Sequence, residues 1–225
     1  MATILENVQG VKARLAHAAR AAGRNPESVT LLAVSKTHPV ARIAEAQAAG
    51  LRAFGENYVQ EALQKMPLVP GVEWHLIGAL QSNKSRLAAE RFDWVQTVDR
   101  VRIANRLSEQ RPAHLPPLNV LIEVNISGEA SKSGAAVKEV TELATAIARL
   151  PRLRLRGLMA IPAPGAAGDF AKMKQLYEAL RERFSFDTLS MGMSDDMEQA
   201  IAAGATMVRI GTAIFGARRA EESPA

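Results

Sequence analysis

The stretch VTLLAVSKTHP, residues 29–39, begins as an apolar run and stops abruptly at a serine and a lysine. A short apolar run of this kind is typical of a strand that is buried in a parallel sheet. A doubly wound open sheet usually carries a glycine-rich turn after its first strand, but residues 35–39 contain no glycine. The stretch therefore favours a closed barrel, and the open sheet is the alternative architecture.

The rest of the chain repeats this pattern, with helical segments between further strand candidates. The eight strand candidates are Val29 to Ser35, Leu51 to Gly55, Glu73 to Gly78, Trp94 to Val98, Asn119 to Asn125, Leu153 to Met159, Thr188 to Gly192 and Met207 to Gly211. Amphipathic stretches such as residues 135–150 separate them, and apolar residues at helical spacing from Ile4 to Ala18 precede them. The sequence therefore predicts an α/β fold, a (β/α)8 TIM barrel with an additional N-terminal helix, as a single domain over residues 1–225.

Composition excludes several classes of function. The chain has no cysteine, which excludes disulfides, thiolate catalysis and cysteine zinc sites, and its four histidines are too far apart in sequence to predict a metal site. The net charge is +5, but basic and acidic residues are interleaved and aromatic residues make up only 4%, so we expect no nucleic-acid partner. The first twenty residues lack a continuous apolar core, and no apolar run reaches membrane-spanning length. We therefore expect a cytoplasmic protein without a membrane partner.

Lys36 stands where the first strand ends, and barrels gather their reactive side chains at the carboxyl ends of the strands. A lysine amine is a nucleophile only when neutral, and partial desolvation favours the neutral form. A lysine at this point can therefore form a Schiff base with an aldehyde. The alternative interpretation is that Lys36 is simply the first solvated residue after a strand. Polar residues that follow the other strands favour the reactive interpretation.

The ends of the last two strands resemble a phosphate-binding cradle, which barrels often build at this place. Gly211 lets the backbone approach a ligand closely, and Thr212 offers a hydroxyl and an amide. Ser194 is an equally good N-cap for the helix that follows it, and the carboxylates of Asp195 and Asp196 would repel a phosphate. A lysine amine and a phosphate cradle at one mouth suggest pyridoxal 5′-phosphate.

Arg209 lies on the eighth strand candidate. A guanidinium there could donate a hydrogen bond to the pyridine nitrogen of the cofactor and, because it does not give up its proton, would keep that nitrogen unprotonated. Such a ring is a poor electron sink. The alternative role for Arg209 is a structural ion pair inside the barrel, since a buried charge needs a partner.

Five motifs together resemble the pyridoxal phosphate homeostasis proteins, and the match extends from residue 29 to residue 218. The motifs are AVSKT at 33–37, FGENYVQE at 54–61, WHLIG at 74–78 followed by LQSNK at 80–84, GMSDDM at 192–197, and RIGTAIFG at 209–216. The resemblance implies a barrel similar to the amino-terminal domain of alanine racemase. Members of this family are thought to bind, buffer and hand on the cofactor, without a firmly established enzymatic activity.

The resemblance also assigns roles to individual residues. It implies that pyridoxal 5′-phosphate is held as a Schiff base on Lys36, with Arg209 at the pyridine nitrogen. Ser194, Gly211 and Thr212 would surround the phosphate, and Asn57, His75, Ser190 and Met191 would line the pocket. We therefore expect a non-enzymatic, monomeric carrier for intracellular vitamin B6 homeostasis that contacts PLP-dependent apoenzymes transiently and has no catalytic residues.

Two enzymatic functions are the alternatives to a carrier. Racemisation needs acid and base groups on both faces of the substrate carbon, and we expect no second domain after the eighth strand to supply one. A Schiff-base aldolase on sugar phosphates would also use a lysine and a phosphate cradle. A separate hypothesis concerns the glycine- and serine-rich loop from Ser127 to Gly134, where Lys132 would form a secondary, weaker Schiff base during transfer.

Overall fold

The computed structural model describes residues 2–129, 132–163, 165 and 167–216, and its long strands close into a barrel. The strands are β1 (Thr30–Val34), β2 (Ala53–Glu56), β3 (Glu73–Leu76), β4 (Trp94–Val98), β5 (Leu118–Asn125), β6 (Ala135–Ala136), β7 (Leu153–Met159), β8 (Thr188–Ser190) and β9 (Met207–Ile210). Neighbours run in the order β4-β3-β2-β1-β9-β8-β7-β5, every pair is parallel, and pairing of β4 with β5 closes the ring. The predicted (β/α)8 TIM barrel is confirmed, because an open sheet would leave two unpaired edges.

Helices connect the strands and cover the outside of the barrel. They are α1 (Ile4–Ala21), α2 (Val40–Ala48), α3 (Val59–Lys65), α4 (Ser85–Arg91), α5 (Val101–Gln110), α6 (Val140–Ile147), α7 (Ala167–Phe184), α8 (Met197–Ala202) and α9 (Thr212–Phe215). Within the described ranges, none of the helices is long and apolar enough to cross a membrane.

The amino-terminal helix α1 is the predicted addition to the barrel. Thr3 and Glu6 form a capping box at its start, with Glu6 N–H donating to Thr3 Oγ1 at 3.2 Å and Thr3 N–H donating to Glu6 Oε2 at 2.8 Å. Its apolar stripe packs on α8 and α9, and the Asn7 side chain donates to the Ile214 carbonyl at 2.9 Å. The helix therefore supports the outer side of the segment that follows β9.

The eight predicted strands are all present, but several end earlier than the sequence predicts. β3 ends at Leu76 and β8 at Ser190, and a glycine-containing segment follows each of them. The segment 135–150, predicted as one helix, instead starts with β6, which pairs with the end of β5. A short 3-10 turn, Val137–Glu139, then leads into α6.

Apolar side chains pack on both surfaces of the sheet. The main core lies between strands and helices, and alternate residues of β1 divide between it and the interior: Ala33 faces the helices, whereas Leu32 packs with Ile77 and Met207. A second small interior group consists of Trp94, Leu121 and Met159. Polar side chains share this interior, and they determine what the mouth of the barrel can bind.

Candidate functional site

Lys36 follows β1 on a backbone that is held on both sides. The Ser35 amide donates to the Gly55 carbonyl at 2.9 Å, and the Thr37 amide donates to Glu61 Oε1 at 2.5 Å. Thr37 has a φ of 64°, a left-handed conformation that is unfavourable for a β-branched residue. The surrounding contacts therefore hold the turn that directs Lys36 into the mouth of the barrel.

A buried ion cluster supplies these contacts. Lys65 Nζ lies 2.9 Å from Glu56 Oε1 and 2.6 Å from Glu61 Oε1, and it also donates to the Ser35 carbonyl at 2.9 Å. The Ser35 hydroxyl donates to Glu56 Oε1 at 2.6 Å. Burial raises the pKa of Glu56, and the charge of Lys65 opposes that rise. We call Glu56, Glu61 and Lys65 the ion cluster; sequence analysis missed it, although FGENYVQE contains both carboxylates.

Lys36 lines a cleft of about 230 Å³ at the carboxyl ends of the strands, which we call the Lys36 cleft. Of the predicted site residues, Lys36, Asn57, Ser194, Arg209, Gly211 and Thr212 line it; the other lining residues are Val34, Ile77, Ile161, Met193 and Asp195. These residues lie at or after the carboxyl ends of six barrel strands, β1, β2, β3, β7, β8 and β9. The cleft therefore brings together side chains that are far apart in sequence.

Arg209 forms the floor of the Lys36 cleft and is 4% exposed. Its Nη1 donates to Ser190 Oγ at 2.8 Å, and its Nη2 donates to the Ala160 carbonyl at 2.8 Å. Burial lowers the pKa of Arg209 to about 10, so the guanidinium is charged at neutral pH. Among the described residues it forms no ion pair within 4.0 Å, but the charges of Asp196 and Glu123 favour its charged form. These bonds use two of the five N–H donors of the guanidinium, and the remaining ones can donate to an acceptor in the cleft.

Gly211, Thr212 and Ser194 form one wall of the cleft, after β8 and β9. A Cβ atom at Gly211 would lie 3.3 Å from the Val34 carbonyl oxygen, so glycine allows β1 and the start of α9 to approach closely. The Ala213 amide donates to Ser194 Oγ at 3.4 Å, which joins the segments after β8 and β9. The carboxylate of Asp196 accepts from the Met193 amide at 2.6 Å and is therefore directed into its own loop.

Three predicted pocket residues, His75, Ser190 and Met191, do not line the cleft. Ser190 and His75 are fully buried in the barrel interior, and Met191 belongs to the main hydrophobic core. Ser190 accepts from Arg209, whereas His75 is hydrogen-bonded to Gln96 and Glu73. Their alternation with apolar neighbours is compatible with lining the cleft and with lying deeper in the protein. A sequence pattern predicts which face of a strand a residue occupies, but not how far that residue lies from the mouth of the barrel.

Glu123 is a further interior acid that sequence analysis missed. It lies on β5 and is 8% exposed. Burial, followed by the charge of Asp99, raises the pKa of Glu123 to about 7, and the charge of Arg209 opposes that rise. A glutamate inside the otherwise apolar strand LNVLIEVN is the signal that could have identified it.

A second cleft, of about 380 Å³, opens beside the first at the ends of β2 and β3. We call it the Lys84 cleft, and it is lined by Asn57, Tyr58, Val59, Gln60, Gly78, Ala79, Leu80, Gln81 and Lys84. Asn57 belongs to both clefts. In the described ranges, no group of three histidine or carboxylate side chains could hold a metal ion.

Comparison with known proteins places the chain among its relatives. Residues 7–219 match the family model described as the alanine racemase N-terminal domain. The chain is 60% identical over 229 residues to the pyridoxal phosphate homeostasis protein of Escherichia coli strain K12, with 97% of this chain and 98% of that protein covered. It is also 60% identical over 223 residues to the protein of the same name from Pseudomonas aeruginosa, with 97% of each covered.

A solved structure agrees with this placement. PipY of Synechococcus elongatus PCC7942, with pyridoxal phosphate bound, has a TM-score of 0.81 and 35% sequence identity, and the match covers 95% of this chain and 100% of that one. The chain thus has the alanine racemase N-terminal fold and belongs to the pyridoxal phosphate homeostasis protein family.

Proposed function

We propose that this protein binds pyridoxal 5′-phosphate in the Lys36 cleft and serves vitamin B6 homeostasis by buffering and delivering it. The observation that carries this proposal is the convergence of three groups in one cleft: the Lys36 amine, the Arg209 guanidinium, and the close backbone at Gly211 and Thr212. The relatives named pyridoxal phosphate homeostasis protein support the same proposal, and so does the related structure with pyridoxal phosphate bound.

The residues present fit this cofactor. Pyridoxal 5′-phosphate supplies an aldehyde that condenses reversibly with an amine, releasing water, together with a pyridine nitrogen and a phosphate. Lys36 would provide the amine, Arg209 would donate to the pyridine nitrogen, and Ser194, Gly211 and Thr212 would surround the phosphate. Asn57 would also line the cleft.

Arg209 also favours binding over catalysis. A guanidinium remains a donor at neutral pH and therefore keeps a pyridine nitrogen in front of it unprotonated. An unprotonated ring withdraws electrons weakly, so reactions that need an electron sink are disfavoured. The arrangement suits a protein that holds the cofactor and releases it unchanged.

The two tyrosines do not favour racemisation. Racemisation would need a second acid–base group at the cleft. Tyr177 lies on α7 and donates its hydroxyl to the Phe186 carbonyl at 3.2 Å, and Tyr58 is 61% exposed and lines the Lys84 cleft. Neither residue lines the Lys36 cleft.

The finer expectations belong to the same proposal. We propose a monomer over residues 1–225 that acts in the cytoplasm and contacts PLP-dependent apoenzymes transiently during transfer. Transfer through Lys132 stays a prediction: this lysine forms a 3.0 Å ion pair with Glu129, and Ala130 and Ser131 beside it lie outside the described residues. Borohydride reduction in excess cofactor, followed by peptide mapping, tests it, and a Lys132 that is never labelled would contradict it.

Titration with pyridoxal 5′-phosphate, followed by near-ultraviolet and visible absorption, tests the proposed function. The wild-type protein should develop a shifted, saturable band, and the loaded protein should restore activity to a PLP-dependent apoenzyme. Lys36→Ala should abolish the band, whereas Lys84→Ala, the matched lysine in the neighbouring cleft, should retain it. No band in the wild-type protein would overturn the proposal, and turnover of an amino acid or a sugar phosphate would favour the enzymatic alternatives.

A further inference from the structure

A continuous chain of hydrogen bonds crosses the barrel interior from the Lys36 cleft to the opposite mouth. Arg209 Nη1 lies 2.8 Å from Ser190 Oγ, and Ser190 Oγ lies 2.7 Å from Gln96 Oε1. Gln96 Nε2 lies 2.9 Å from His75 Nδ1, and His75 Nε2 lies 2.9 Å from Glu73 Oε1. The chain thus joins five residues on four strands, β9, β8, β4 and β3.

The two ends of the chain, together with a neutral His75 ring, fix the direction of every bond in it. A guanidinium can only donate and an ionised carboxylate can only accept. Ser190 must therefore accept from Arg209, and a neutral His75 must carry its proton on Nε2, facing Glu73. His75 Nδ1 then accepts from the Gln96 amide, and Gln96 Oε1 accepts the proton of Ser190.

The middle of the chain has no access to water that could replace these bonds. Ser190, Gln96 and His75 are each 0% exposed, whereas the Glu73 side chain is 47% exposed at the amino-terminal mouth. The His75 ring stacks on Trp94 with centroids 5.0 Å apart and planes 8° apart. Burial lowers the pKa of His75, and the carboxylate of Glu73 opposes that change. A neutral ring with one N–H fits both neighbours.

We propose that Gln96 and His75 are positioning residues for Arg209, acting through the hydroxyl of Ser190. Because the chain prevents Ser190 from turning its proton toward Arg209, the hydroxyl always presents a lone pair to Nη1. The Ala160 carbonyl fixes Nη2 in the same way. The guanidinium is thereby held with its remaining donors toward the cleft. The effect of this chain on cofactor binding rests on the proposed function, whereas the positioning of Arg209 does not.

The first test needs neither cofactor nor variant. Nitrogen-15 NMR of the histidine rings in the wild-type protein at neutral pH distinguishes the two neutral tautomers from the imidazolium. The inference predicts His75 protonated on Nε2 alone. A ring protonated on Nδ1, or on both nitrogens, would overturn the directional chain.

The second test breaks the chain in the middle. Gln96→Met keeps the approximate shape of the side chain and removes its hydrogen bonds to Ser190 and His75, together with a 3.2 Å bond to Met207 Sδ. Ser190→Ala removes the link to Arg209 directly and leaves the bonds of Gln96 to His75 and Met207 in place. Leu121→Val is the matched control, because Leu121 is equally buried in the interior and makes none of these bonds. The measurement is the exchange of the Arg209 side-chain N–H protons with water, which should quicken about tenfold in both chain variants and stay unchanged in the control. Unchanged exchange in both chain variants would overturn the positioning role.

The cofactor provides the third readout. Nitrogen-15-labelled pyridoxal 5′-phosphate should show an altered pyridine resonance in Gln96→Met and Ser190→Ala, with affinity weakened about tenfold, and a wild-type resonance in Leu121→Val. A wild-type resonance in the chain variants would contradict control of the ring by the chain. If the wild-type protein binds no cofactor, the proposed function fails, and the proton-exchange result alone decides whether the chain positions Arg209.

Discussion

The Lys36 cleft and the Lys84 cleft lie side by side at the same mouth of the barrel, share Asn57 and each contain a lysine. The Lys84 cleft is larger, about 380 Å³ against about 230 Å³, but its walls come from the segments after only two strands. The Lys36 cleft reaches down to a buried guanidinium and collects groups from the ends of six strands. Buried charge aimed into a cleft is therefore a better guide to function than its volume.

The two clefts also differ in what supports them. The ion cluster holds the residues on either side of Lys36, and the hydrogen-bond chain to Glu73 starts at Arg209 in the same cleft. The Lys84 side chain stands at a 3-10 turn, Ser82–Lys84, and Tyr58 beside it is largely exposed. A rigid support is what a site needs to hold a ligand in one orientation, and the buried hydrogen-bonded side chains beside the Lys36 cleft supply it.

The largest effect is expected from breaking the ion cluster. Lys65→Met leaves the fully buried carboxylate of Glu56 without its cation, which should lower the free energy of unfolding by about 3–5 kcal/mol. Urea denaturation measures this loss. Adding Glu56→Gln to the same chain should restore part of it, because no uncompensated buried charge then remains.

The matched control for that prediction is an exposed ion pair. Arg181→Met breaks a 3.7 Å pair with Glu178 on α7, whose side chains are more than half exposed, and should cost less than about 1 kcal/mol. Equal losses for Lys65→Met and Arg181→Met would contradict the view that the support beneath Lys36 is unusually rigid.

The next effect concerns the floor of the Lys36 cleft. Arg209→Gln removes a charged donor and should weaken pyridoxal 5′-phosphate binding by roughly tenfold or more, since hydrogen bonds to charged groups contribute about 1.5–3 kcal/mol. Gln81→Ala in the Lys84 cleft is the control and should bind like the wild-type protein. Fluorescence titration gives the dissociation constants of both variants for pyridoxal 5′-phosphate. A larger loss of affinity in Gln81→Ala than in Arg209→Gln would assign the binding site to the Lys84 cleft.

Glu123 predicts a pH dependence of stability. Its pKa is raised to about 7 in the folded protein, so its contribution to stability is complete below its unfolded pKa, near 4.5, and is lost as the pH rises through 7. From pH 4.5 to pH 8, the wild-type protein should therefore lose about 1–3 kcal/mol relative to Glu123→Gln. Glu45→Gln, at an exposed position on α2, should show no such difference, and parallel pH profiles for Glu123→Gln and the wild type would contradict the raised pKa.

The smallest effect is expected at Gly211. The new Cβ atom in Gly211→Ala would lie 3.3 Å from the Val34 carbonyl oxygen and would push the backbone slightly away from the cleft, so affinity for inorganic phosphate and for the cofactor should fall about three-fold. Gly10→Ala on the open face of α1 meets no neighbour and should leave affinity unchanged. A larger effect at Gly10 would argue against a phosphate site beside Gly211.

The sequence predicted the barrel because its signals were local. The eight strands are short segments, several of them apolar runs such as Val29 to Val34, that alternate with helical segments, and the absence of glycine after β1 favoured a closed barrel over an open sheet. The exact strand ends and the two-residue β6 were missed, since they depend on which residues pair with a neighbouring strand. A two-residue strand exists only through its partner, β5.

The predicted site was less complete than the fold. Residues at strand ends, such as Lys36 and Gly211, could be assigned to the mouth by position alone. The depth of His75 and Ser190 in the barrel could not be predicted from the sequence, because it depends on the tilt and stagger of the strands. Gln96 and Glu123 were overlooked although each is a polar residue within an apolar strand, which is the signal that deserves a search for an interior partner.

Borohydride reduction of the protein with one equivalent of pyridoxal 5′-phosphate, followed by peptide mass mapping, tests most directly that the Lys36 cleft is the binding site. The account predicts a single phosphopyridoxyl group on Lys36, lost in Lys36→Ala and retained in Lys84→Ala. A label on Lys84, or one spread evenly over exposed lysines in the wild-type protein, would contradict it.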